Sequence, residues 1–332
     1  MRMALFGAGR IGPLHARTLL RSGAVESLVI TDVIEQRAAG AAADLGIDHA
    51  RTAEEALDGA DAVVITASTD DHPALIRAAM ARGLPTFCEK PLAASLEESI
   101  AVRRDIEASS APFHLGFQRR FDPAYLECRR LIAGGDIGVV YMISMRSHDP
   151  APASEAFIAS SGGMFSDLSI HDLDALRFLS GSEAVEVFCT GTSREFPVFE
   201  RYDDYAFAVA TITLADGTPV VGSWARHDPL GHDVRTEVFG SRDSVSIGLG
   251  PRMPLRSLEP AVPPPAGPPW HIFLDRWDDA YRGELLAFVE VAKGERASPC
   301  TARDGVEALR LAEALTRSAR EHRIVALSEI PS

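Results

Sequence analysis

Short apolar runs recur through the first third of the chain, at 3–6, 27–31, 62–66, 85–89 and 113–117. Apolar at consecutive rather than alternate positions, they suit strands buried on both faces. Between them, apolar residues recur at helical spacing, from Leu14, Leu19 and Leu20 through 36–45, 53–57 and 72–82 to 95–108. Strands alternating with helices predict a doubly wound parallel sheet. After Arg120 the pattern changes. A helix over 123–133 and a strand over 139–147 lead to a loop rich in Pro, Ser and Ala (149–161) and an apolar helical stretch that opens at Gly162. Strand-like runs without helices between them come next, at 185–192, 205–214, 220–227, 234–239 and 244–247, with Ala215-Asp216-Gly217-Thr218 as a hairpin turn. They predict a large, open, mostly antiparallel sheet with one face on helices and the other free for self-association. A proline-rich loop (260–269), helices over 274–293 and 301–321 and a strand over 323–327 complete the chain. The expected fold class is therefore α/β, with a parallel-sheet domain over 1–120 and a second α/β domain over 121–332.

The first glycines give this frame its chemistry. Gly7-Ala8-Gly9-Arg10-Ile11-Gly12 stands between a strand and a helix, the context in which G-x-G-x-x-G binds a dinucleotide. Gly7 allows the turn, Gly9 admits the pyrophosphate to the backbone, and Gly12 lets helix and strand pack closely. The phosphates are expected at the helix N-terminus. The next strand ends at Asp32, twenty residues past Gly12. A carboxylate there accepts hydrogen bonds from the adenosine ribose and repels a 2′-phosphate, so NAD is expected rather than NADP. Arg37, a helix turn further on, reads as a solvated surface residue. Ligands of such sheets bind at the carboxyl ends of the strands. Cofactor contacts are accordingly expected from Ala67-Ser68-Thr69, the nearby His72, Glu89-Lys90-Pro91 and Gln118 of Gln118-Arg119-Arg120. Lys90 ends its strand where an ammonium can hold a substrate hydroxyl.

In the stretch from Gly162, Asp167, His171 and Asp174 fall at i, i+4 and i+7, one face of an α-helix otherwise rich in Met164, Phe165, Leu168, Ile170 and Leu173. Such a stripe reads in two ways. It is the wet face of an amphipathic helix, or it is a carboxylate and an imidazole buried together as a proton acceptor.

Composition narrows the partners. The chain has 332 residues, 24% of them charged, and a net charge of −14, which disfavours nucleic acid and anionic membrane as partners. Its four cysteines are far apart and form no C-x-x-C, so neither zinc nor a disulfide framework is expected. No apolar run approaches the ~20 residues of a membrane span, and the first residues leave no room for a signal peptide's apolar core. A cytoplasmic protein with reduced thiols is the expectation.

Taken in order, these motifs resemble the Gfo/Idh/MocA oxidoreductases over essentially the whole chain, and among them the bacterial inositol 2-dehydrogenases. The likeness rests on the glycine motif, Glu89-Lys90-Pro91, 116–123, Asp149-Pro150-Ala151-Pro152, Ser161-Gly162-Gly163-Met164-Phe165 with Asp167 and His171, and Ala280-Tyr281 with Glu284-Leu285. It implies an NAD-binding Rossmann domain, oligomerisation through the open sheet, and Lys90, Asp167 and His171 as catalytic residues. Lys90, Arg120, Asp167, His171, His232 and Tyr281 become the expected substrate ligands, for a cyclitol or sugar. The pattern departs at 227–233, where relatives carry a tyrosine in a Gly-Tyr-Asp context and this chain has Gly231-His232-Asp233. Two other functions share the fold: a non-catalytic NAD- and sugar-binding regulator, and an NAD-dependent glycosidase. The intact Lys90, Asp167 and His171 favour the dehydrogenase.

Overall fold

The computed structural model describes residues 1–332 and holds two sheets. The first contains β1 (Arg2–Phe6), β2 (Ser27–Thr31), β3 (Asp48–His49), β4 (Ala62–Ile65), β5 (Thr86–Glu89) and β6 (Phe113–Gly116). They lie in the order β3-β2-β1-β4-β5-β6, and every pairing is parallel. The expected doubly wound sheet is thus present, with the two-residue β3 as an unforeseen edge. Buried sequences such as Ala62–Ile65 explain the near-continuous apolar runs, because neither face meets water.

The second sheet has the order β12-β11-β7-β10-β9-β8-β13. Its strands are β7 (Val140–His148), β8 (Ala184–Thr192), β9 (Phe207–Leu214), β10 (Pro219–Ala225), β11 (Asp233–Gly240), β12 (Ser244–Ile247) and β13 (Val325–Ala326). Only the β7–β10 pair is parallel. Along β9, Ala208, Ala210, Ile212 and Leu214 are buried, while Val209 on the opposite face is 52% exposed. Phe188 and Val221, both register partners of Thr211, are exposed on that same face. One face is therefore packed and the other open. The last strand is shorter than expected: Leu327–Glu329 forms a single helical turn instead.

The chain forms two compact units, and their limits correct the expected division at residue 120. The first unit comprises Met1–Phe121 together with Asp279–Glu307; the second comprises Asp122–Asp278 and Ala308–Ser332. The returning segment belongs with the parallel sheet because the helix Asp278–Ala292 is apolar where it packs. Its Leu285, Phe288 and Val289 share a core with Met3, Leu5, Ile30, Val64 and Phe87. No helix is long and apolar enough to cross a membrane, and all four cysteines are buried, with no disulfide between them.

Candidate active site

In the first unit the glycines do separate jobs. Gly7 has φ 103°, and a Cβ there would lie 2.6 Å from the Ala67 amide nitrogen. A Cβ on Gly12 would lie 1.9 Å from the Gly7 carbonyl oxygen, so only glycine lets the helix Gly12–Arg21 close onto the turn. Gly9 faces open space, with nothing within 4 Å of an added Cβ. A free backbone beside a helix N-terminus is what a pyrophosphate needs, and exposed Arg10 and half-buried Ile11 continue that edge.

Asp32 is fixed by two backbone amides. The Ala8 amide donates to its Oδ2 (2.7 Å) and the Ile34 amide to its Oδ1 (2.8 Å). It lines a cleft of about 440 Å³ with Gly7, Gly9, Ala67 and Ser68. Arg37 is exposed, as expected, but on the wall of this cleft, and so is Arg51. Thr69 opens the turn Thr69–Asp71. The buried His72 places Nδ1 2.7 Å from the Pro91 carbonyl oxygen and Nε2 3.2 Å from that of Ala67. It ties the loop after β4 to the loop after β5. Burial lowers its pKa, so the ring is neutral and donates from one nitrogen only.

Lys90 is half-buried at the end of β5, beside a polar cluster enclosed in the first unit. His15 Nε2 lies 2.7 Å from Glu89 Oε1, and its ring packs 5.6 Å from that of Tyr281. Gln118 Nε2 donates to the Tyr281 hydroxyl at 3.3 Å. Burial, with the charges of Glu89 and Glu284, pushes the Tyr281 phenol well above its ordinary range. Gln118 and Tyr281, expected as cofactor and substrate ligands, are thus buried partners of one another. Arg120 is buried too, donating to the Pro299 carbonyl (2.9 Å) and pairing with Asp304 at 3.0 Å. Sequence reading missed His15 and held Glu284 only as a motif residue. A histidine one residue before the buried Ala16, on a helix face that packs inward, was the available signal.

In the second unit the stretch from Gly162 departs from a regular α-helix. Phe165–Ser169 forms a π turn, and the α-helix Ile170–Ser180 continues from it. An extra residue in a turn rotates the next turns of helix by about 100°. The π turn falls between Asp167 and the α-helical pair His171 and Asp174, and the expected stripe is unevenly buried: Asp167 and His171 are half-buried, whereas Asp174 is 1% exposed. Neighbouring Asp172 is buried and accepts a hydrogen bond from Trp224 Nε1 at 2.9 Å. Asp204 receives the Met164 amide (2.8 Å), which closes the start of this helix from a distant loop.

The residue that organises Asp167 is Arg226, which the sequence did not single out. Its Nη1 donates to Asp167 Oδ2 at 2.8 Å, and it lies 3.9 Å from Asp149 Oδ2. Burial alone would depress the guanidinium; Asp167, Asp149 and Asp204 more than offset that and raise its pKa. Asp149 Oδ1 in turn stands 3.5 Å from His232 Nδ1. His232 is buried, with its amide donating to the Trp270 carbonyl at 2.6 Å, so it is no surface-loop histidine. A row of polar contacts thus runs from Asp167 through Arg226 and Asp149 to His232.

Comparison with known proteins matches both units. Residues 1–117 match the oxidoreductase family with an NAD-binding Rossmann fold, and residues 125–246 match the GFO/IDH/MocA C-terminal domain. Myo-inositol dehydrogenase Hyg17 of Streptomyces leeuwenhoekii is 36% identical over 96% of this chain and 97% of its own. The crystal structure of a myo-inositol dehydrogenase from Corynebacterium glutamicum superposes with a TM-score of 0.91, at 34% identity, over 100% of this chain and 99% of that one. A scyllo-inositol dehydrogenase from Lactobacillus casei, solved with NAD(H) and scyllo-inositol, gives 0.85 at 27% identity over 99% of each chain.

Proposed function

The chain belongs to the Gfo/Idh/MocA oxidoreductases, and from that premise we propose that it is an NAD-dependent dehydrogenase oxidising a secondary hydroxyl of a cyclitol or related sugar ring. The observation that carries the reading is the Asp167 carboxylate held by buried Arg226, four residues before His171, in a chain whose other unit has the glycine cleft and Asp32. When bound, NAD supplies the hydride acceptor. The cleft fits it: Gly9 would leave the pyrophosphate open backbone, and Asp32, held by two amides on the cleft wall, would accept from the ribose.

The chain's own residues manage the proton and the alcohol. A secondary alcohol gives up hydride readily only as its O–H proton leaves, so a base must be placed at that proton. His171 takes it, Asp167 stabilises the imidazolium that results, and the Lys90 ammonium binds and polarises the reacting oxygen. Arg226 keeps the Asp167 carboxylate in one orientation, which a buried charge-assisted bond does well. Arg10, Ile11, Ala67, Ser68 and Thr69 complete the cofactor side, and His72 holds its loop. Glu89, Gln118, Arg120 and Tyr281 act through the buried packing around Lys90. The exposed row of Phe188, Val209 and Val221 is the surface through which the chain self-associates, a point that light scattering tests.

A spectrophotometric screen of cyclitols and aldoses with NAD tests the assignment. NADH formation on at least one ring polyol is the expected result. Binding without NADH would instead make the chain a regulator, and release of an aryl alcohol from a glycoside without net NADH would make it a glycosidase.

A further inference from the structure

Beyond His232 the second unit holds a pocket of about 280 Å³, lined by His232, Asp233, Met253, Arg252, Trp270 and Arg276 among others. Its polar groups are unevenly matched. Asp233 is saturated by Arg235, whose Nε and Nη2 each donate at 2.8 Å. Arg276 pairs with Asp122 at 3.2 Å. Arg252 has no carboxylate partner. Its Nε donates to the Pro268 carbonyl (2.8 Å) and its guanidinium lies 3.5 Å over the Trp270 ring, so the side chain is held in place with its terminal nitrogens uncommitted. His232 is 94% buried, by its 6% exposure, and neither ring nitrogen has a hydrogen-bond partner.

A guanidinium fork and a neutral imidazole, which donates from one ring nitrogen and accepts at the other, together offer more donors than acceptors. Neutral hydroxyls need both; an anion needs only donors. In a chain of net charge −14, a fixed cation without a counter-ion is a local feature and not part of a general basic surface. The same His232 is also the end of the contact row that starts at Asp167.

We propose that this pocket receives an anionic substituent, a carboxylate or a phosphate monoester, carried by the ring that is oxidised, with Arg252 and His232 as its ligands. The proposal rests on the dehydrogenase reading for the rest of that ring. It makes His232 part of the specificity, an imidazole donor at the inner end of the pocket.

Matched substrates test it. We compare kcat/KM for myo-inositol with that for its monophosphate, and for glucose with those for glucuronate and glucose 6-phosphate. At least one anionic partner is expected to exceed its neutral counterpart by about tenfold, the worth of one charge-assisted bond. The uronate and phosphate arms distinguish the two anions. Arg252→Gln should abolish the advantage while neutral rings turn over within about twofold of wild type. Inorganic phosphate should bind wild-type protein calorimetrically and bind Arg252→Lys more weakly, since an ammonium lacks the fork. Turnover of neutral rings with no anionic advantage and no phosphate binding overturns the proposal but leaves the dehydrogenase standing. Phosphate binding abolished by Arg252→Gln, with no ring oxidised at all, overturns the dehydrogenase reading and with it the substrate assignment, while the anion site stands.

Discussion

The two units solve the problem of placing chemistry by opposite means. The cofactor cleft of the first is made of backbone: a turn at Gly7, an open strip at Gly9, a close approach at Gly12 and one carboxylate pinned by two amides. The polar row of the second is made of side chains from separate elements, with Arg226 meeting Asp167 across 59 residues of sequence. Backbone sites tolerate change around them as long as the glycines remain. Side-chain sites fail when any member is removed, because each member leaves a buried partner without its charge. Substitutions in each unit put that contrast to the test.

The largest effects belong to the groups assigned to the proton and the reacting oxygen. His171→Ala and Lys90→Ala should each lower kcat by about 10²- to 10⁴-fold and leave NAD affinity, measured by fluorescence titration, nearly unchanged. Normal turnover in either variant would remove that residue from the mechanism. Arg226→Gln should cost about 3–5 kcal/mol of stability by stranding Asp167, and should reduce kcat more than it raises KM. Arg226→Lys keeps the charge and loses the fork; partial recovery of kcat separates positioning from simple packing.

The residues at stake differ in how plainly the sequence marks them. The parallel sheet and the glycine cleft were legible because their causes are local: apolar runs, a turn motif, a carboxylate at a fixed spacing. Lys90, Asp167 and His171 were proposed from short motifs in order along the chain. Arg226 carries no local signal, for an arginine at the end of β10 looks like any strand-end cation until Asp149, Asp167 and Asp204 gather round it. The turning of Asp167 away from the α-helical register of His171 and Asp174 was hidden because an α-period cannot foresee the π turn at Phe165–Ser169. The return of Asp279–Glu307 to the first unit was hidden for another reason. An amphipathic helix announces that it packs, not which sheet it packs on.

Acid should distinguish the units as well. His114 in β6 is fully buried between Phe87 and Phe121, with neither ring nitrogen hydrogen-bonded. Burial first, then the charges of Arg296 and Arg120, lowers its pKa to about 3. A depressed folded pKa means that the unfolded chain binds the proton first. The stabilising contribution is whole above the unfolded value of 6.5 and is lost as pH falls toward about 3. The expected slope from this one group is about 1.4 kcal/mol per pH unit in that window. His114→Phe should flatten it in denaturant titrations run across the window, while changing little at pH 8; an unchanged slope would mean that other groups dominate.

Asp32→Ala should weaken NAD binding by about 1.5–3 kcal/mol through lost charge-assisted hydrogen bonds. With the carboxylate gone, Arg37 and Arg51 remain on the cleft wall, so NADP should gain affinity in the same variant. Equal use of both cofactors by the wild type would take Asp32 out of the ribose site.

The smallest expected effect is at His232, and it tests whether the side-chain site extends as far as the row of contacts does. Tyrosine is longer than histidine and offers a phenol where the imidazole stands, next to Asp149 at 3.5 Å. His232→Tyr should shift the ratio of kcat/KM between myo-inositol and the best substrate of the wild type by the worth of one mismatched buried hydroxyl, about 1–3 kcal/mol. NAD affinity should not move, since the glycine cleft belongs to the first unit. A uniform loss across a polyol panel, with a lowered melting temperature, would mean that the larger ring merely overpacks a tight position. An unchanged panel would confine the site to Asp167, Arg226 and Asp149 and leave His232 as packing against the Trp270 loop.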